Sequence, residues 1–149
     1  VIHFDAGRTT AEIYTMSADG SQRRLLAGPF HCRGISWSPD GTRIAFDSNQ
    51  EETSHIWIIP SEGGQASRLT SGADGEYLPS WSPTGETIAF VSGGRIWGVP
   101  AEGGEIRELV NDQGVSDYYG LAWNPNGRFV AYTKVLGSQI NVWVATVMH

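Results

Sequence analysis

The chain is poor in several residue types, and each shortage excludes a class of protein. Cys32 is the only cysteine of 149 residues, which excludes an internal disulfide and any multi-cysteine metal site. Lys134 is the only lysine beside nine arginines, and sixteen acids outweigh ten bases for a formal net charge of −6. Nucleic-acid binding needs clustered Lys and Arg to displace counterions, so it is not expected. Charged residues amount to only 17%. No apolar run approaches the ~18 residues of a membrane span. The opening Val1-Ile2-His3-Phe4 carries no basic n-region, so no signal peptide is expected within the chain. What the chain has instead is glycine, nineteen residues of it, together with six tryptophans and 40% hydrophobic residues. That mixture fits many short strands joined by tight turns.

Internal repetition dominates the sequence. Trp37-Ser38-Pro39-Asp40-Gly41 recurs as Trp81-Ser82-Pro83-Thr84-Gly85 and as Trp123-Asn124-Pro125-Asn126-Gly127, at spacings of 44 and 42 residues. Each is followed by an apolar triplet: Ile44-Ala45-Phe46, Ile88-Ala89-Phe90 and Val130-Ala131-Tyr132. A third element carries Trp57, Trp97 or Trp143, and a Gly-Gly turn and a fourth short run follow in the central units. The N-terminal Ile2–Phe4, Ile13–Met16 and Arg24–Leu26 fit the same frame.

Pro presets φ at the second turn position, Asp bonds its own backbone and Gly accepts positive φ, so each Pro-x-Gly reads as a hairpin turn. Units of four strands and 40 to 45 residues are the signature of a β-propeller blade. The expected fold is an all-β propeller arc of about three and a half blades, in units 1–34, 35–78, 79–120 and 121–149. The first unit lacks its innermost strand and the last its outermost. Such an arc leaves blade faces uncovered, so either a homodimer completes the ring or the remainder of a longer propeller chain does so. All six tryptophans are expected to be packing residues.

These repeats resemble those of TolB, the propeller of the bacterial Tol–Pal system. The Trp-Ser-Pro-Asp-Gly and Ile-Ala-Phe pairing is also similar to propellers of prolyl oligopeptidase-family serine peptidases. The resemblance covers about 145 residues. It implies a bacterial or archaeal propeller, often periplasmic or secreted, that binds partners or gates a site.

In antiparallel blades, loops alternate between two faces. Every length variation falls on the face carrying the second-to-third-strand loops and the connections between blades, the usual seat of recognition. Eight acids fall there (Asp5, Asp47, Glu51, Glu52, Asp74, Glu76, Asp112, Asp117), against Arg33, Arg8 and Lys134. Such a field would favour a basic peptide or a cation, although the same acids would equally serve as a solvated rim. Alignment ahead of the tryptophans places Arg33, Tyr77 and Tyr119 at one position and Cys32, Glu76 and Tyr118 one step earlier, at the mouth of the channel. Tyr and Arg suit protein or glycan contacts, and the tyrosines would equally cap blade packing.

Partner-binding candidates are therefore Arg33, Asp47, Glu51, Glu76, Tyr77, Asp117, Tyr118 and Tyr119, and Glu76→Lys is expected to weaken binding without unfolding. No nucleophile elbow, HExxH or phosphate loop is present, and the four histidines show no ligand spacing. No catalytic residue or metal ligand is assigned and no cofactor is indicated; calcium held by Glu76 and Asp117 would match no loop motif. The expected function is a non-catalytic module binding a protein or peptide. Alternatives are the gating propeller of a serine peptidase and a glycan- or cation-binding propeller. Cys32 would be reactive only in an electropositive setting.

Overall fold

A computed structural model of the chain describes residues 2–4, 10–112, 118–136 and 138–148. Every regular element among them is a strand, and fourteen are present. The first sheet contains β1 (Ile2–Phe4), β2 (Ala11–Thr15) and β3 (Arg24–Phe30). The second contains β4 (Ile35–Trp37), β5 (Arg43–Glu51), β6 (Thr53–Pro60) and β7 (Ser67–Arg68). The third contains β8 (Tyr77–Trp81), β9 (Thr87–Ser92), β10 (Arg95–Pro100) and β11 (Arg107–Val110). The fourth contains β12 (Tyr118–Trp123), β13 (Phe129–Leu136) and β14 (Gln139–Thr146). Neighbouring strands pair antiparallel in chain order, giving the open arc of three-, four-, four- and three-stranded blades expected from the repeats.

The three Trp-x-Pro-x-Gly turns share one hydrogen-bond pattern. Gly41, Gly85 and Gly127 take φ of 72°, 76° and 72°, the left-handed region glycine favours. Their N–H groups donate to the carbonyls of Ser38, Ser82 and Asn124 at 2.9, 3.0 and 3.0 Å. The residue before each proline has a second role: Ser38 Oγ, Ser82 Oγ and Asn124 Oδ1 accept from the N–H of Arg43, Thr87 and Phe129 at 2.9, 3.1 and 3.0 Å. Serine and asparagine alternate there because each offers an oxygen at the same reach.

Successive residues of a strand point to opposite faces, and here each face meets a different blade. Ile44 and Phe46 of β5, with Trp57 and Ile59 of β6, pack on Ala11, Ile13 and Phe30 of the first sheet. The Phe30 and Phe46 rings stack at 5.2 Å. The alternating Ala45, Ile56 and Ile58 pack the other way, on Trp81, Ile88, Phe90 and Val99 of the third sheet. A third seam joins Ala89, Ile96 and Leu109 to Val130 and Tyr132. Each fully buried Ile or Phe contributes about 1.5–3 kcal/mol of transfer free energy, so the seams hold the arc together.

Three expectations change. Asp47 lies not in a loop but in β5, which continues through it to Glu51, and it pairs with Ile56 of β6. The unit breaks at 78/79 and 120/121 fall inside β8 and β12. The tryptophans are not all packed: Trp57 and Trp81 are 8% and 5% exposed, but Trp37 and Trp143 are 49% and 43% exposed. Trp81 and Trp123 lean on the preceding blade's innermost strand, through Trp81 N–H to Ser36 Oγ at 3.1 Å and Trp123 Nε1 to the Ser80 carbonyl at 3.1 Å. Among the described residues, the first sheet has no strand in the place of β4 and β8, so Trp37 lacks that support. Trp143 stands on β14, the last strand of the fourth sheet.

Candidate functional site

The connections entering β4 and β8, with the β5–β6 hairpin, enclose a cleft of about 560 Å³. Its walls carry His31, Arg33, Asn49, Glu52, Asp74 and Tyr77. Arg33 and Tyr77, equivalent positions of successive blades, are in contact: the guanidinium lies 4.4 Å from the centre of the phenol ring. Arg33 is exposed and Tyr77 half-buried, so a planar cation and an aromatic face border the cleft together.

Beneath them lies Asp47, 1% exposed. Its carboxylate accepts from the N–H groups of Arg33 at 2.6 Å, Gly34 at 3.1 Å and Leu78 at 2.8 Å. One side chain thus ties the entry to β4 to the start of β8. Burial pushes its pKa up, opposed by the N–H donors from Arg33 and Leu78. Cys32, also at the cleft, is 4% exposed and its Sγ donates to the Gly34 carbonyl at 3.4 Å. Burial first, then the neighbouring Asp47 carboxylate, drives the thiol pKa far up. Both effects disfavour the thiolate, which is the nucleophilic form.

Glu76 is the second interior carboxylate, 2% exposed. It meets His55 Nδ1 at 2.9 Å and accepts from Thr70 Oγ1 at 2.5 Å and Gly72 N–H at 3.2 Å. Thr70 Oγ1 in turn accepts from Ile56 N–H at 2.9 Å, so residues 70–76 are pinned to β6. Asp47 and Glu76 therefore anchor the segments around the cleft, with almost none of either side chain exposed. A lysine at position 76 would place an ammonium against the buried His55 and remove the acceptor of Thr70 and Gly72, so Glu76→Lys is expected to destabilise the fold as well. Of the two acids named for calcium, Glu76 has both oxygens in hydrogen bonds to the protein, and Asp117 lies outside the described residues.

Among the described residues, the acids expected on this face are only partly exposed. Asp5 and Asp117 lie outside the described residues, and Asp47 and Glu76 are interior. Glu51 is half-exposed and ion-paired to Arg68. Asp112 pairs with the buried Lys134 ammonium and accepts from Tyr132 Oη at 2.6 Å. Partial burial raises its pKa, but Lys134 and Tyr132 outweigh that and hold it below the usual value. Glu52 and Asp74 remain as exposed carboxylates at the cleft. The backbones of Tyr118 and Tyr119 open β12, while their side chains lie outside the described residues. Sequence reading missed His55 and Thr70, whose only signal is a polar residue inside or just beyond an apolar strand.

The chain matches the family model of the TolB beta propeller domain over residues 2–148. It is 30% identical over 139 residues to the Agrobacterium fabrum protein Atu1656, covering 83% of this chain and 47% of that protein. It is 31% identical over 109 residues to tricorn protease homolog 1 of Streptomyces coelicolor, covering 65% of this chain and 10% of that one. The crystal structure of TolB from Acinetobacter baumannii superposes with a TM-score of 0.79 at 20% identity, over 91% of this chain and 35% of that one. The chain thus spans about half the length of Atu1656 and a tenth of the protease. Blade topology, turn chemistry and the match along nearly the whole sequence agree: this chain belongs to the TolB beta-propeller domain family.

Proposed function

We propose that this domain is a non-catalytic recognition module that holds an extended peptide segment of a partner protein across its variable-loop face. The observation that carries this reading is the Arg33–Tyr77 pair at the mouth of the cleft. Arginine and tyrosine dominate binding hot spots because they bury large area while keeping directional polar groups. Two buried carboxylates hold the loops that bear them, so little ordering entropy is lost on binding. The deeply buried thiol of Cys32 supports a role without nucleophilic chemistry. By resemblance, the setting is extracytoplasmic. A second reading, a propeller that gates a peptidase, draws on the match to tricorn protease homolog 1. It would use the same face to admit a peptide.

Panning a displayed random peptide library on the domain tests the proposal. Selected peptides should bind saturably and lose about tenfold or more in affinity on Tyr77→Ala or Arg33→Ala. Failure to select any saturable binder, or binders indifferent to both substitutions, would overturn it.

A further inference from the structure

Arg24, Arg43, Arg68 and Arg95 are each paired with a glutamate. Arg33 is not, although Glu52 and Asp74 line the same cleft. Among the described residues its guanidinium makes no ion pair or hydrogen bond, and its contact is with the Tyr77 ring. All its N–H donors are therefore open to a ligand.

The ring beneath it is seated in advance. Gly75, at φ 72°, lies so close that a Cβ there would stand 2.5 Å from Tyr77 Oη and 2.9 Å from Cζ. On the other side of Tyr77 in the chain, Leu78 takes φ 54°, a left-handed backbone that costs energy for a residue with a Cβ. The Leu78 N–H is held by Asp47 Oδ2 at 2.8 Å, and the Arg33 N–H by Asp47 Oδ1 at 2.6 Å. One buried carboxylate thus fixes the backbone beside the ring and the backbone that carries the cation.

A guanidinium presents its donors as a planar fork, which a carboxylate meets with two parallel hydrogen bonds. A phosphate offers the same match with more negative charge, and the exposed Glu52 and Asp74 at this cleft would repel it. The same two acids disfavour a second carboxylate next to the first. We infer that the Arg33 fork takes a single carboxylate of the bound peptide, from an Asp or Glu side chain or from the C-terminus, whose neighbours in that peptide are neutral or basic. The inference rests on the peptide-binding reading and adds the group that the cleft selects.

The experiment starts from peptides selected out of a random library displayed with free C-termini. Each is synthesised with every Asp or Glu replaced in turn by Asn or Gln, and with its terminal carboxylate as the amide. Calorimetry on the unsubstituted chain should find one change that weakens binding by about tenfold, as for loss of a charge-assisted bond. Whether that change is a side chain or the amide tells the two sources apart. In Arg33→Gln, which keeps the backbone N–H to Asp47 and alters only an exposed side chain, the same change should weaken binding no further. Full affinity after every neutralisation, or an equal loss in Arg33→Gln, would overturn the carboxylate subsite and leave the recognition reading standing. Failure to select any saturable binder would overturn both.

Discussion

The inner seams and the outer face of the last blade carry the same repeat residues in opposite surroundings. Ile13, Ile56 and Ile96 hold one place in three successive units, and each is 0% exposed. Val142 holds that place in the fourth and is 75% exposed; Val144 and Ile140 beside it are 66% and 70% exposed. Backbone pairing does not explain the contrast, because β13 and β14 pair along eight registered positions. A propeller strand is apolar on both faces because each blade is packed between two others. Burial at a given repeat position is therefore set by the neighbouring sheet, and the residue type only makes that burial favourable.

Substitutions at the two places sharpen this contrast. Phe46→Ala, at a fully buried ring in the first seam, should cost about 3–5 kcal/mol in urea unfolding. Val142→Ala should stay within ~0.5 kcal/mol. Asp47→Ala comes next: it strands three backbone N–H groups beneath the cleft, and each unsatisfied buried donor costs about 1–3 kcal/mol. Thermal unfolding should show a marked loss, together with weaker peptide binding as the loops loosen.

A smaller effect separates interior acids from turn acids by pH. Asp40 accepts from Ser38 Oγ, Thr42 N–H and Thr42 Oγ1, which lowers its pKa from 3.8 to about 2. A depressed carboxylate contributes stability above its unfolded pKa and loses it as pH falls through the folded one. Asp40→Asn should therefore remove part of the acid-induced loss between pH 3.8 and about 2, read from unfolding midpoints across that interval. Least of all, Glu51→Ala breaks a half-exposed ion pair with Arg68 and should cost under ~1 kcal/mol.

The fold was legible because its determinants are local and repeated. The turn needs Pro and Gly at fixed offsets, and the strands need apolar residues on both faces. The contact between Arg33 and Tyr77 was legible because it too follows the repeat: equivalent positions of successive blades are neighbours. The burial and bonding of Asp47 and Glu76 were not legible because their structural roles are not repeated. Asp47 stands where the other units have Val91 and Thr133, and a polar residue in an apolar strand slot is the signal that it serves the backbone. Glu76 meets its partner His55 across 21 residues, a separation that no local pattern encodes. The half-exposure of Trp37 and Trp143 depends on which sheets stand beside them, and the repeat pattern carries no such information.

The most direct measurement compares two residues of the same motif. Trp81 and Trp37 each open a Trp-Ser-Pro turn, one 5% and the other 49% exposed. Urea unfolding of Trp81→Ala should show a loss of about 3–5 kcal/mol, and Trp37→Ala a loss below ~1 kcal/mol. Equal losses, or a larger one at Trp37, would contradict the claim that the neighbouring blade, rather than the motif, decides what each repeat residue contributes.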